Sequence, residues 1–220
     1  MRILITTSAN YNHVSFDHLP LLVGTIHKWL GTNNAIHGTT SLYSFSWLQG
    51  GKQENGGLCF SKGASFFISA HDEGLAKQIV KGAMGQPELF AGMLVKEIRI
   101  QDTPVFDRDE EYFSVASPIL IKVKEETRVK HCLYNDPEAN EVLTRSMQRK
   151  MDIAGIDPTG MSISFDPDYR SAHTKLINYK GIGNRASICP VMVKGSPEQI
   201  AFVWNVGVGH STGIGFGALN

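Results

Sequence analysis

The chain has 220 residues, 42% of them hydrophobic and 19% charged, a length that accommodates two halves of about 100 residues, each with its own small core. Its 21 basic and 21 acidic residues cancel, so composition does not announce a nucleic-acid binder, and any such site must come from local charge asymmetry. The three cysteines, Cys59, Cys132 and Cys189, are widely spaced without a CxxC, which argues against a disulfide framework or a zinc site. The opening MRILITTSANYN has no signal-like apolar run, and no stretch approaches the roughly 18 apolar residues of a membrane span. The expectation is a cytoplasmic, reduced, soluble protein.

Residues 2–8 are β-branched and alternate, which predicts a strand. Over 17–30, Leu19, Leu22, Val23, Ile26 and Leu30 fall on one helical face, and Gly31 to Asn34 break the pattern. Residues 41–48 alternate serines with apolar side chains and predict a strand that Gly50-Gly51 ends in a turn. A strand at 64–70 follows, then a helix capped by Asp72 with Leu75, Ile79 and Ala83 inward, then a strand at 93–100. This β-α-β-β-α-β order is the ferredoxin-like unit. The acidic stretch from Gln101 to Phe113 predicts a solvated linker.

The pattern then restarts. A strand is predicted at 118–124, and a long helix that Asp136 caps and Pro137 opens, running to about Gly155 with Val142, Leu143, Met147 and Met151 inward. A strand follows at 161–165, and a hairpin over 174–194 that turns at 181–184. Ser196 to Gln199 form a capping box before a last helix, after which come a glycine-rich loop and a short terminal strand. The expected architecture is α+β: tandem ferredoxin-like halves, 1–103 and 112–220, the second ending in the glycine-rich loop.

That loop is the most specific local signal. Gly207, Gly209, Gly213, Gly215 and Gly217 stand at short spacing around His210, after a helix. Glycine allows close backbone approach, and successive N–H groups can form an anion-binding concavity. A Walker A or Rossmann loop instead follows a strand and opens a helix, so neither applies. The alternative is a tight turn without a ligand. From Tyr169 to Pro197 there is no acidic residue, yet Arg170, Lys175, Lys180, Arg185 and Lys194 occur, with Tyr169, His173 and Tyr179 interleaved. Such a ribbon suits phosphate contact and base stacking, or is simply a solvated basic hairpin. Arg145, Arg149 and Lys150 cluster on the preceding helix and either extend the basic track or complement the helix dipole.

The glycine-rich tail after two ferredoxin-like units resembles the signature of the RAMP superfamily of RNA-binding proteins. Ile36-His37-Gly38 followed by Leu42-Tyr43-Ser44-Phe45-Ser46, and the segment Phe113 to Ile119, are similar to its CRISPR repeat-RNA-processing endoribonuclease branch. The resemblance implies cleavage of precursor CRISPR RNA within repeats by its own 2′-hydroxyl, leaving a cyclic phosphate and a 5′-hydroxyl, with no metal or other cofactor. Histidine, with a free pKa of about 6.5, can act as base or acid in such a reaction. The resemblance places the catalytic histidine at His37, an assisting group at His27 and a phosphate-neutralising lysine at Lys52. It implies that the basic hairpin grips repeat RNA. Tyr43 near this region either assists or packs. His13, His18, His71, His131 and His173 carry no motif support. The implied partners are CRISPR repeat RNA and other CRISPR-associated proteins, without a membrane, the protein being a monomer or homodimer. The alternative is a non-catalytic RAMP subunit that holds guide RNA; a small-molecule enzyme with a nucleotide phosphate in the glycine loop ranks third.

Overall fold

A computed structural model describes residues 1–31, 40–126 and 129–220. The protein is α+β, with four α-helices and several antiparallel sheets among the described residues. The first stretch runs β1 (Arg2–Thr7), α1 (Leu19–Leu30), β2 (Tyr43–Phe45), β3 (Lys52–Glu54), β4 (Gly57–Cys59), β5 (Ser65–Ala70), α2 (Glu73–Gly85) and β6 (Val95–Gln101). β2, β5, β1 and β6 form one sheet in that order, every neighbouring pair antiparallel. Ile3 and Ile5 of β1 and Leu22, Ile26, Trp29 and Leu30 of α1 share its core. The Asp72 carboxylate caps α2 by accepting from the Leu75 N–H at 2.6 Å; Ala76, Ile79 and Ala83 are buried and Leu75 only partly.

The second stretch runs β7 (Glu110–Phe113), β8 (Ile121–Lys124), β9 (Val129–Cys132), α3 (Ala139–Ala154), β10 (Ser162–Phe165), β11 (His173–Tyr179), β12 (Ile182–Ile188), β13 (Val191–Lys194) and α4 (Pro197–Val206). A 3-10 turn at Thr212–Ile214 follows. β10, β13 and β7 form an antiparallel sheet; β8–β9 and β11–β12 are hairpins, as is β3–β4 in the first stretch. Leu143, Met147 and Met151 of α3 and Ile200, Val203 and Val206 of α4 fill the core of this part. Ser196 closes the expected capping box with Gln199.

Several elements depart from the sequence reading. The acidic connector contains a strand: β7 pairs with β13, buries Phe113, and sets Glu110 3.2 Å from Lys194. α3 begins at Ala139, not at Pro137, because the Asp136 carboxylate accepts from the Leu133 N–H at 2.8 Å and shapes the turn before the helix. The β11–β12 ribbon turns at Lys180-Gly181 rather than at 181–184, both with positive φ (50° and 82°), the twist a two-residue hairpin needs. Of the hairpins β3–β4 and β8–β9, only β8 falls within an expected strand, that at 118–124; β3, β4 and β9 are not among the expected elements. No terminal strand follows α4; Leu219 makes a single bridge to Val115. The serines of the second predicted strand do not face water: Ser44 is 0% and Ser46 3% exposed. That strand is covered on both faces, so its alternation marks two different buried environments.

The two cores are stitched together. Leu120, Ile177, Ala186 and Phe216 sit in the core of the first sheet, and Leu42 packs against the other. The Arg2 guanidinium lies 3.8 Å from the ring centroids of both Phe67 and Trp204 and donates to the Leu219 carbonyl at 2.6 Å. Burial pushes its pKa down to about 9. Among the described residues no helix is long and apolar enough to cross a membrane.

Candidate functional site

α3 supplies the charged wall of the site. Its inward positions Leu143, Met147 and Met151 repeat at helical spacing, leaving Arg145 and Arg149, one turn apart, on the exposed side. Lys150 belongs to the inward face, seven residues after Leu143, and is only 5% exposed. Its ammonium donates to the Thr212 hydroxyl at 3.3 Å. Among the described residues it has no carboxylate partner, and the undescribed positions 32–39 and 127–128 contain no Asp or Glu. Burial pushes its pKa down to about 7. Arg145 is held at 2.6 Å by Glu141, one turn earlier on the exposed surface.

The glycine-rich tail forms the opposite wall, and its glycines serve packing. A side chain at Gly207 would come 2.5 Å from the Gly217 carbonyl oxygen and 2.8 Å from the Ser44 side chain. One at Gly213 would collide with the Ser41 hydroxyl. Several tail N–H groups are already committed: Val208 donates to the Gly217 carbonyl, His210 to Leu120, and Gly217 to Pro118. Part of the concavity of N–H groups expected from the sequence is therefore closed, and the close approach of the tail to Ser41 and Ser44 makes it a seam between the two parts of the chain. The first sheet holds that seam: Tyr43 donates its hydroxyl proton to the Gly213 carbonyl at 3.2 Å, and Trp47 Nε1 donates to that of Gly215 at 2.8 Å. Burial pushes the Tyr43 pKa up to about 12.

Between these walls lies a cavity of about 450 Å³. Arg145, Arg149 and Lys150 line it from α3, Gly209 to Thr212 from the tail, and Thr40 and Ser41 from the segment entering β2. His210 Nδ1 accepts from the Lys122 N–H at 3.2 Å, which places the proton of the neutral ring on Nε2. Burial, then the positive charges of Lys150, Lys122 and Arg149, hold His210 below the ordinary imidazole range. The Thr212 hydroxyl donates to the Ser41 carbonyl at 3.5 Å while it accepts from Lys150, tying the three elements at one point.

The cavity thus gathers Arg145, Arg149, Lys150, Gly209 and His210 from separate sequence expectations. His37 lies outside the described residues, three positions before Thr40. His27, half-buried on α1, does not line the cavity, and Lys52 stands exposed on the β3–β4 hairpin, away from it. Lys175, Lys180 and Arg185 are exposed on the β11–β12 ribbon, and Arg170 is exposed on the turn before it. The Lys175 ammonium lies 4.8 Å from the centre of the Trp47 ring, and that of Lys180 5.8 Å from the Tyr179 ring. Sequence reasoning missed Ser41 and Thr212. It also missed the burial of Lys150, although the spacing Leu143, Met147, Lys150 carries that signal. Among the described residues no group of three or more His, Cys, Asp or Glu is placed to hold a metal ion.

The family model described as CRISPR associated protein Cas6, C-terminal, matches residues 101–220. No curated protein sequence matches. Among solved structures, one described as a Cas6-related gene product from Pyrococcus furiosus aligns with 22% identity and a TM-score of 0.84, over 100% of this chain and 97% of its own. A structure described as a RAMP protein binding different RNA substrates aligns with 21% identity and a TM-score of 0.84, over 100% and 98%. A Cas6 product complex of Thermus thermophilus aligns with 10% identity and a TM-score of 0.69, over 99% and 98%. At these identities the likenesses carry the fold.

Proposed function

This chain belongs to the Cas6 family of CRISPR-associated RAMP proteins, and from that premise we propose that it is a metal-independent endoribonuclease that cuts precursor CRISPR RNA within its repeats. The observation that carries the reading is the cavity. It joins cations of α3 and the tail histidine to Thr40 and Ser41, the first described residues after His37. Two residues, Gly38 and Thr39, lie between His37 and Thr40, so three Cα-to-Cα steps tether them within about 11 Å. Relatives described as binding RNA substrates and as a product complex support the substrate class.

In the proposed reaction His37 takes the proton of the 2′-hydroxyl beside the scissile phosphate. The 2′-oxygen attacks phosphorus, the bond to the 5′-oxygen breaks, and that oxygen takes a proton from solvent, leaving a 2′,3′-cyclic phosphate and a 5′-hydroxyl. Charge on the phosphorane falls to the cavity cations. His27, which the family resemblance makes an assisting group, stays a secondary candidate. Lys52, exposed on its hairpin, gains no support for a part in the chemistry. The β11–β12 ribbon and Arg170 are proposed as the track for the RNA backbone.

The fold is read as two ferredoxin-like halves, 1–103 and 112–220. The sheet order β2-β5-β1-β6, with a helix between its first two and last two strands in sequence, supports this for the first half. The three-stranded second sheet supports it less fully.

A second reading, RNA holding without cutting, draws on one observation. The only histidine among the cavity's described lining residues, His210, has Nδ1 engaged and a lowered pKa, so acid–base chemistry there depends on His37. The test offers repeat RNA to the protein in EDTA, with and without a 2′-deoxy substitution at the scissile nucleotide. Cutting of the first and sparing of the second is the expected result. Binding without cutting by the wild type would sink the nuclease reading.

A further inference from the structure

Lys150 poses a charge problem inside the cavity. Its side chain is nearly closed off from water, its hydrogen-bond partner is a neutral hydroxyl, and it has no carboxylate partner among the described residues. The charged side chains that line the cavity with it, Arg145 and Arg149 on its own helix, are cationic, and the titratable neighbour on the tail is the His210 imidazole, beside Lys122 of β8. Glu141 is spent on Arg145 at the outer surface. A buried ammonium among positive charges is costly, and the group relieves the cost by giving up its proton.

We propose that Lys150 forms the floor of a phosphate site whose occupation is coupled to proton uptake by its amine. The inference rests on the reading of this cavity as the place where an RNA phosphate is held. It adds that the site is charged by its own ligand. The anion supplies the missing counter-charge, and the amine takes a proton from water to become the ammonium that meets it. No covalent bond changes in this step; one proton moves from solvent to Nζ.

The sign follows from linkage. The amine titrates near pH 7 in the empty protein because of burial. An anion beside it raises that value, so between the two pKa values binding takes up a proton and affinity falls as pH rises. The neighbouring groups carry shifts of their own. His210 sits below the ordinary histidine range through burial; its neutral ring carries its proton on Nε2, and Nδ1, where a second proton would go, is engaged by the Lys122 N–H. Lys122 is lowered from its ordinary value by burial alone. Tyr43, pushed up to about 12, stays neutral, and the two arginines stay charged.

The experiment uses full-length protein and sulfate, which remains a dianion across the whole range and brings no proton of its own. The Lys150 13Cε resonance, assigned by its loss in Lys150→Met, is followed from pH 5.5 to 10.5 with and without sulfate. The expected midpoint lies near 7 without the anion and at least one unit higher with 50 mM sulfate. Lys150→Met should bind sulfate at least tenfold more weakly while melting no lower than the wild type, since a buried ammonium without a counter-ion does not stabilise the fold. An ordinary lysine midpoint in the free protein, a midpoint that sulfate does not move, or a lower melting temperature in Lys150→Met would overturn the proposal. A parallel arm uses repeat RNA with a 2′-deoxy scissile nucleotide. If wild-type protein binds repeat RNA and never cuts it, the nuclease reading fails while the sulfate result stands. If RNA is cut but the midpoint stays fixed, only the present inference fails.

Discussion

The cavity and the β11–β12 ribbon hold similar numbers of cations, and what sets them apart is one buried ammonium and one cation already paired. On the ribbon Lys175, Lys180 and Arg185 are exposed, two of them over aromatic rings. In the cavity Lys150 is buried and Arg145 already paired. An exposed cation attracts phosphate through water and is screened over about 8–10 Å at ordinary salt. A buried one is screened little and is costly until an anion arrives. On the proposed function, the ribbon contributes salt-sensitive affinity and the cavity contributes chemistry and position. On that proposal a chain of zero net charge holds a polyanion through local asymmetry, since residues 169–197 carry Arg170, Lys175, Lys180, Arg185 and Lys194 and no acid.

The sharpest way to break this division is at the cavity side. His37→Ala is expected to slow repeat cleavage by about 10²- to 10⁴-fold, the range for losing a proton-transfer group, with repeat-RNA affinity within about twofold of wild type. Single-turnover cleavage and filter binding measure the two separately. If affinity falls as far as the rate, His37 holds RNA rather than acting on it, and the cavity loses its chemical role. The next largest effect is on the seam that shapes the cavity. Gly217 has φ of 67°, and a Cβ there would run into the Val208 carbonyl oxygen. Gly217→Ala should cost about 3 kcal/mol or more of stability, because backbone must move to admit it. Thermal melting reads this as a fall of roughly 10 °C for a chain of this size.

The helices, the first sheet's strands and both side-chain caps were legible because each depends on local pattern: Asp72 before α2, Ser196 and Gln199 around the start of α4. The tail was legible as a special segment but not in its role. Glycine spacing signals close approach without saying what approaches, and here it is Ser41, Ser44 and the tail's own backbone. β7 escaped because Glu110 and Glu111 read as solvated linker, whereas an edge strand of a three-stranded sheet can keep acidic residues in water and bury only Phe113. The site was half legible. Arg145, Arg149 and His210 were named from charge and motif, yet nothing in those segments says that α3 and the tail face one cavity. That juxtaposition arises from long-range packing.

On the ribbon side the expected effects are smaller and graded. Removing Lys175, Lys180 or Arg185 singly by alanine should weaken RNA binding severalfold. Each should also reduce the slope of log K against log salt by about 0.7 for every single-strand phosphate that the missing cation no longer neutralises. The cleavage rate at saturating RNA should stay unchanged. A fall in that saturated rate would merge the ribbon with the cavity and end the distinction.

The smallest effect joins the two regions. Glu141 holds Arg145 at 2.6 Å across one exposed helical turn, so any phosphate that recruits Arg145 must compete with a carboxylate. An exposed pair of this spacing contributes only about 0.3–0.5 kcal/mol. Glu141→Gln should therefore tighten RNA binding by about twofold, the equivalent of that energy, at low salt. The gain should shrink as salt rises, since screening weakens the pair and the phosphate contact together. Titrations of labelled repeat RNA at two salt concentrations resolve this. A loss of affinity would mean that Glu141 orients the guanidinium for the cavity rather than restraining it, and would move this pair from the surface into the site.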